Sequence, residues 1–202
     1  MTTSLILASQ SPRRSELLSQ LGYQFTCLPA DVDESVKANE TPQVYVSRLA
    51  LAKAQHIANS LMSENKNKNN DATIVLGSDT CVVINNTILG KPRDLADCQQ
   101  QLQLLSANVH QVLTAVSVVK AQLRETVLVS TDVEFKSLTE REINNYWLTG
   151  EPQDKAGSYG IQGIGGQFVK QLRGSYSSVV GLPLYETSQL LTKFGLPSAI
   201  NQ

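Results

Sequence analysis

The stretch from residue 4 to residue 22, SLILASQSPRRSELLSQLG, constrains the fold more than any other part of the chain. Residues 5–8 form an apolar run of the length of a β-strand, and a polar break follows them. Pro12 suits the first position of a helix, with Ser11 as its N-cap and Gly22 as its end. The chain therefore passes directly from a strand to a helix N-terminus, where free N–H groups and the helix dipole attract an anion.

Arg13 and Arg14 fall in the first turn of this helix, where a positive charge is unfavourable for the helix itself. Two arginines at this place become favourable when an anion binds beside them. The segment is therefore interpreted as a phosphate-binding elbow. From this stretch alone, a solvated surface turn is an open alternative.

Length and composition limit the classes of protein that this chain can represent. Its 202 residues predict one α/β domain spanning 1–202, and the net charge of −1 gives no general support for a nucleic acid or membrane partner. The cysteines Cys27, Cys81 and Cys98 have neither a metal-binding nor a disulfide spacing, which predicts reduced thiols. Neither a signal peptide nor a membrane-spanning run is visible. We expect a soluble cytoplasmic protein.

Apolar periodicity and turn residues predict a chain in which strands and helices follow one another. Residues 63–72, SENKNKNNDA, are predicted to be a solvated loop, and Thr139 begins a capping box. The predicted strands lie at 5–8, 25–28, 74–77, 81–84, 87–89, 110–120 and 125–136, and the predicted helices start at 12, 41, 94, 139 and 183. Because β-rich stretches adjoin in the middle of the chain, we expect an α/β fold with a mixed sheet flanked by helices.

Polar residues that suit a phosphate substrate stand near the ends of these elements. Asp79 is expected to end a strand, Glu34 lies in a loop, Lys53 on a helix, and Lys91 and Asp94 beside a helix start. Cations neutralise a polyphosphate, and carboxylates hold Mg²⁺ or activate water. Taken singly, each has an ordinary alternative as a cap, a turn residue or a solvated charge.

Two other motifs bear on the class of ligand. Neither a Walker P-loop nor a GxGxxG fingerprint is present, so the ATPase and dinucleotide-binding classes lack their signature. The glycine-rich segment 154–169 forms either a backbone nest for a ligand or a flexible turn, and its spacing leaves both open.

Six motifs together resemble the Maf family, nearly from end to end and in the family's order. They are LILASQSPRRSELLSQLG (5–22), VDE (32–34), LGSDT (76–80), GKPRD (90–94), DKAGSYGIQGIGG (154–166) and VVGLPL (179–184). The resemblance implies an ITPase-like α/β fold with two lobes around a deep cleft. It also implies a metal-dependent nucleoside triphosphate pyrophosphatase, which releases a nucleoside monophosphate and pyrophosphate, and a homodimer.

Within the family, three residues resemble the branch that acts on dTTP and UTP. Arg13, Thr80 and Gln162 stand where the sister branch, which acts on 7-methylguanosine triphosphate, carries Trp, Gln and Glu. The amide of Gln162 offers a donor and an acceptor that match the imide edge of uracil or thymine. These three residues, with Ser9 and Arg14, are the predicted substrate-binding set.

The resemblance implies water attack on the α-phosphorus, with pyrophosphate as the leaving group. Asp79 is predicted to accept the proton of the water, while Lys53 and Lys91 neutralise the triphosphate with Arg14. Ser9 and the helix N-terminus are predicted to hold phosphate oxygens.

The predicted cofactor is Mg²⁺ or Mn²⁺, with Glu34, Asp79 and Asp94 as its ligands. The alternatives are a pyrophosphatase for 7-methylguanosine triphosphate or another non-standard nucleotide, and a non-enzymatic nucleotide-binding regulator of septum formation.

Overall fold

The computed structural model describes residues 3–64 and 72–201, and shows a mixed sheet flanked by helices, as predicted. The strands of the described chain are β1 (Ser4–Leu7), β2 (Thr26–Cys27), β3 (Thr73–Ile84), β4 (Thr87–Leu89), β5 (Val109–Lys120), β6 (Leu123–Phe135) and β7 (Val169–Arg173). Their order is β2-β1-β3-β5-β6-β7, with β4 paired to β3. β1 runs parallel to β2 and β3, whereas β3–β4 and β6–β7 are antiparallel.

The helices follow the capping and periodicity signals of the sequence. They are α1 (Pro12–Gln20), α2 (Pro42–Glu64), α3 (Leu95–Leu105), α4 (Glu140–Leu148), α5 (Tyr176–Val180) and α6 (Leu184–Lys193). Thr139 and Glu142 form the predicted capping box at the start of α4. The short helix α5 was not predicted. Of the predicted loop 63–72, Ser63 and Glu64 belong to α2, and residues 65–71 lie outside the described residues.

The prediction that Asp79 ends a strand is wrong. β3 continues without interruption from Thr73 to Ile84, and Asp79 lies near its middle. The apolar runs 74–77 and 81–84 predict two strands, with polar residues between them, and a charge inside a sheet is costly unless it is paired. Here the charge is paired with Lys53 from α2, a long-range partner that strand patterning does not reveal.

The chain forms two compact units, in agreement with the two predicted lobes. The first comprises Met1–Asp79, Thr114–Leu128 and Gly181–Gln202, and the second Thr80–Leu113 and Val129–Val180. The deep cleft stays a prediction. Among the described residues, no helix is long and apolar enough to cross a membrane.

In the first unit, α2 packs unusually close to β3. A Cβ atom added to Gly77 would collide with the carbonyl oxygen of Ala50 and lie 2.8 Å from the backbone nitrogen of Ala54. The buried residues Ile6, Ile57 and Val75 surround this contact in a small apolar core. Small residues on both sides therefore let the helix backbone approach the strand.

In the second unit, a larger aromatic core supports α3, α4 and the glycine-rich segment. Its buried members include Leu102, Phe135, Ile143, Tyr146 and Phe168. Phe135 and Phe168 meet edge-on with ring centroids 6.0 Å apart, and Tyr146 meets Phe168 at 4.9 Å. Tyr146 therefore enters the glycine-rich segment from a fixed position in the core.

We predict that Gly77→Ala destabilises the protein by about 1–3 kcal/mol, because the added methyl group has no space between β3 and α2. Gly90→Ala is the matched control, since a Cβ atom there would meet nothing within 4 Å, and its cost should stay within about 0.5 kcal/mol. The measurement is urea unfolding of both variants. Equal free energies of unfolding would contradict the close packing.

Candidate active site

The parallel register of β1 and β3 brings the predicted elbow beside the middle of β3. Leu7 is paired with Leu76, and the N–H of Ala8 donates to the carbonyl of Leu76 at 2.8 Å. The elbow therefore leaves the sheet next to the segment that carries Ser78 and Asp79.

The elbow itself has the predicted form. Ser11 has extended backbone angles and caps α1 by accepting a hydrogen bond from the N–H of Arg14 at 3.5 Å. The hydroxyl of the buried Ser9 accepts from the N–H of Ser11 at 3.1 Å, which closes the turn. Within the described chain, the backbone N–H of Arg13 has no acceptor, so this donor at the helix N-terminus is available to an anion.

Arg14 is held by the protein rather than extended into solvent. Its Nε donates to the carbonyl oxygen of Gly181 at 2.9 Å, and its Nη1 donates to the hydroxyl of Ser9 at 3.5 Å. The hydroxyl of Ser78 donates to the same Gly181 oxygen at 3.1 Å. A single carbonyl group thus joins α1, β3 and the segment before α6.

Lys53 lies between two carboxylates at the centre of the candidate site. Its Nζ is 2.8 Å from Oδ1 of Asp79 and 2.6 Å from Oε1 of Glu34. Lys53 and Asp79 are buried, whereas 57% of the Glu34 side chain is exposed. One end of this cluster is therefore enclosed and the other is open to a ligand.

The loop that carries Glu34 is fastened to α2. The hydroxyl of Tyr45 donates to the carbonyl of Glu34 at 3.0 Å. Arg48 donates to the carbonyl of Ser35 at 2.9 Å and forms two bonds to the carboxylate of Glu40, at 2.6 and 2.7 Å. This bidentate contact lowers the pKa of Glu40 to about 2. Glu34 thus has a fixed backbone although its side chain is exposed.

Burial and neighbouring charges act on the Asp79 carboxyl in opposite directions. Burial raises the pKa of the Asp79 carboxyl, and the charges of Lys53 and Arg14 oppose that rise. Burial lowers the pKa of the Arg14 guanidinium, and the charge of Asp79 opposes that change. A carboxylate with a raised pKa is a better proton acceptor than one in water, provided that it is ionised.

The carboxylates of Glu34 and Asp79 suit a divalent metal. They are hard oxygen ligands that already converge on one cation, the ammonium of Lys53. Within residues 3–64 and 72–201, no group of three or more His, Cys, Asp or Glu residues could hold a metal ion. Mg²⁺ is commonly bound by one or two carboxylates together with water and substrate phosphates.

Four of the predicted site residues, Thr80, Lys91, Asp94 and Gln162, belong to the second unit. Asp94 caps α3, where its Oδ1 accepts from the N–H of Asp97 at 2.8 Å, so one carboxylate oxygen already has a structural partner. Lys91 is exposed in the segment before α3, Thr80 is half-buried in β3, and Gln162 is exposed in the glycine-rich segment. Their predicted roles stay predictions.

Sequence reasoning missed three groups that make defined contacts, two in the first unit and one in the second. The carbonyl of Gly181 accepts hydrogen bonds from both Arg14 and Ser78. Ser78 and Gly181 stand inside the motifs LGSDT and VVGLPL, but no role was predicted for either of them. Glu151 binds the glycine-rich segment. The sequence shows a carboxylate directly before Pro152, but nothing in it points to the partners of that carboxylate, which lie 13 and 14 residues further along the chain.

Known proteins resemble this chain over nearly its whole length. A family model described as "Maf-like protein" matches residues 4–194. A protein of Colwellia psychrerythraea named "dTTP/UTP pyrophosphatase" is 57% identical over 98% of this chain and 91% of its own length. Proteins of the same name are 54% identical in Pseudoalteromonas atlantica, over 95% and 97% of the two chains, and 52% identical in Vibrio cholerae, over 96% and 100%.

The buried ion pair gives a stability prediction. Lys53→Met should cost on the order of 3 kcal/mol, because it leaves the buried charge of Asp79 without its nearest cation. Adding Asp79→Asn to that variant should recover part of the loss, since the unpaired charge is then removed. The measurement is urea unfolding at neutral pH.

The matched control for this prediction is Lys193→Met, which removes a lysine from an exposed pair with Glu125. Its cost should stay below about 1 kcal/mol. If Lys53→Met costs no more than this control, the pair of Lys53 and Asp79 does not contribute to stability as described.

Proposed function

The chain belongs to the Maf family, and from this premise we propose that it is a nucleoside triphosphate pyrophosphatase acting on dTTP and UTP. The products are the nucleoside monophosphate and pyrophosphate, and modified uridine triphosphates are included among the proposed substrates. The preference for dTTP and UTP is supported by the names of relatives that are 52–57% identical.

One observation carries the catalytic part of the proposal. Lys53 bridges Asp79 and Glu34 at 2.8 and 2.6 Å, with Arg14 fixed nearby by Gly181. A binding protein needs cations for the phosphates. It does not need a buried carboxylate beside them, whereas a hydrolase uses such a group to take a proton from water.

In the proposed mechanism, Asp79 aligns a water molecule for attack on the α-phosphorus and accepts its proton. Lys53 orients the Asp79 carboxylate and, with Arg14, stabilises the negative charge that develops on the phosphate oxygens. Ser9 and the free N–H of Arg13 bind a phosphate at the elbow. Pyrophosphate then leaves, and no covalent bond to the protein forms. Positioning and charge stabilisation supply most of the rate.

A divalent metal fits the open side of this cluster. Glu34 is proposed as the first ligand, with Asp79 as the second and Asp94 as a weaker candidate. When bound, Mg²⁺ or Mn²⁺ would supply charge neutralisation at the phosphates. Glu34 suits this role because its backbone is fixed by Tyr45 while its carboxylate remains exposed.

The other assignments are proposals that rest on the family resemblance. Lys91 neutralises the triphosphate, and Arg13, Thr80 and Gln162 contribute to the choice of base. Residues 1–202 act as one catalytic domain, which the family match over residues 4–194 supports. The protein is a cytoplasmic homodimer without a nucleic acid or membrane partner.

The proposal predicts pyrophosphate release from UTP and dTTP in the presence of Mg²⁺ and none in excess EDTA, with Mn²⁺ restoring activity. In H₂¹⁸O, the labelled oxygen should enter the monophosphate, because water attacks the α-phosphorus. The measurements are a pyrophosphate assay and mass spectrometry of both products, with circular dichroism to show that EDTA leaves the chain folded.

A panel of nucleoside triphosphates then separates the alternatives. A kcat/KM for 7-methylguanosine triphosphate above that for UTP would assign the chain to the other branch. Tight binding of nucleotides without turnover would indicate the non-enzymatic regulator. Label found in pyrophosphate would contradict attack on the α-phosphorus.

A further inference from the structure

Glu151 makes a set of contacts that the proposed mechanism does not use. Its Oε1 accepts a hydrogen bond from the hydroxyl of Tyr146 at 2.7 Å and from the N–H of Gly165 at 3.0 Å. Its Oε2 accepts from the N–H of Ile164 at 2.7 Å. Three donors thus bind one carboxylate. Because both oxygens are engaged, Glu151 is poorly placed to act as a base or a metal ligand.

The glycines of this segment leave the space that the Glu151 carboxylate and the Tyr146 hydroxyl occupy. A Cβ atom on Gly163 would collide with Oε2 of Glu151 and lie 2.5 Å from its Cδ. A Cβ atom on Gly165 would lie 2.5 Å from the hydroxyl of Tyr146. The sequence alone left open whether these glycines form a nest or a flexible turn. The contacts indicate a nest, but its occupant is the protein's own Glu151.

Tyr146 and Glu151 hold the two ends of the turn that carries Gln162. On one side the N–H of Gly160 donates to the hydroxyl of Tyr146 at 3.2 Å, and on the other Glu151 holds Ile164 and Gly165. The N–H of Gly163 donates to the carbonyl of Gly160 at 3.2 Å and closes the turn. Gln162 therefore stands on a backbone fixed at both ends.

The side chain of Gln162 is itself unoccupied. It is exposed and has no hydrogen-bond partner within residues 3–64 and 72–201. Gln167, the other glutamine of the segment, instead donates to the carbonyl of Ile164 at 3.0 Å. An unpartnered amide on a fixed turn is well suited to recognise a ligand, because the backbone that carries it loses little conformational entropy when it binds.

We propose that Glu151 is a positioning residue, which fixes the turn 160–165 and thereby presents the Gln162 amide to the imide edge of uracil or thymine. The proposal rests on the proposed function and adds to it: base selectivity depends on an internal carboxylate that never touches the substrate. Tyr146, which the aromatic core holds in place, is the second member of this anchor. Loss of Glu151 leaves the two N–H groups without an acceptor, so the turn loses its fixed form.

The test compares Glu151→Ala and Glu151→Gln with Tyr146→Phe. Glu140→Ala is the matched control, because Glu140 is an exposed carboxylate in the same unit on α4. Glu151→Gln keeps the size of the side chain but turns one acceptor into a donor, so it remains informative if Glu151→Ala does not fold. Tyr146→Phe removes one donor and leaves the two N–H bonds to Glu151 intact.

Two measurements are made on each variant. The first is hydrogen exchange of the amides in 160–165 without any ligand. The second is steady-state kinetics with UTP, dTTP and CTP, together with the inhibition constant of inorganic pyrophosphate, which carries no base. We expect faster exchange at Ile164 and Gly165 in both Glu151 variants and a smaller effect in Tyr146→Phe.

The kinetics should show a KM for UTP and dTTP that rises on the order of tenfold, with kcat within about threefold. The preference over CTP should fall, and the pyrophosphate inhibition constant should stay unchanged. Glu140→Ala should match the wild type throughout. Unchanged hydrogen exchange at 160–165 would contradict the proposal that Glu151 fixes this turn. An equal loss of affinity for all nucleotides and for pyrophosphate would show that Glu151 has only a general structural role. If wild type does not hydrolyse UTP, the proposed function fails, while the exchange result still decides the anchor.

Discussion

The buried pair of Lys53 and Asp79 is the interaction on which the candidate site depends. A carboxylate inside a sheet is costly unless a cation reaches it, and here that cation must come from α2. Gly77 on the strand and Ala50 and Ala54 on the helix supply the required closeness, since any added side-chain atom at Gly77 would push the helix away. The close packing of α2 on β3 is therefore also what allows Lys53 to reach Asp79.

In each unit the protein fixes the backbone and leaves particular polar side chains exposed. Arg14 is bound through Gly181, and the loop of Glu34 is fastened by Tyr45, yet the carboxylate of Glu34 is exposed. In the second unit, Glu151 fixes the turn on which the amide of Gln162 is exposed. Such pre-organisation lowers the entropy that binding must overcome and keeps charged groups aligned with the transition state.

Local signals explain what the sequence could predict. The elbow was predictable because the caps and the proline act within a few residues, and the mixed sheet because strand patterning is also local. The position of Asp79 within β3 was missed because its partner Lys53 is 26 residues away. The contacts of Glu151 were missed for the same reason. The chemistry of their side chains grouped Lys53 with Asp79 and Glu34, but the ion pairs that connect them required the structure.

The most direct measurement of the central claim is the turnover of Asp79→Asn with UTP and Mg²⁺, together with its thermal midpoint. The amide keeps the shape of the side chain and an acceptor for Lys53, which also retains Glu34 at 2.6 Å. Stability should therefore change little, while loss of the proton acceptor should lower kcat about 10²- to 10⁴-fold. A folded variant that releases pyrophosphate at nearly the wild-type rate would show that Asp79 is not the catalytic base.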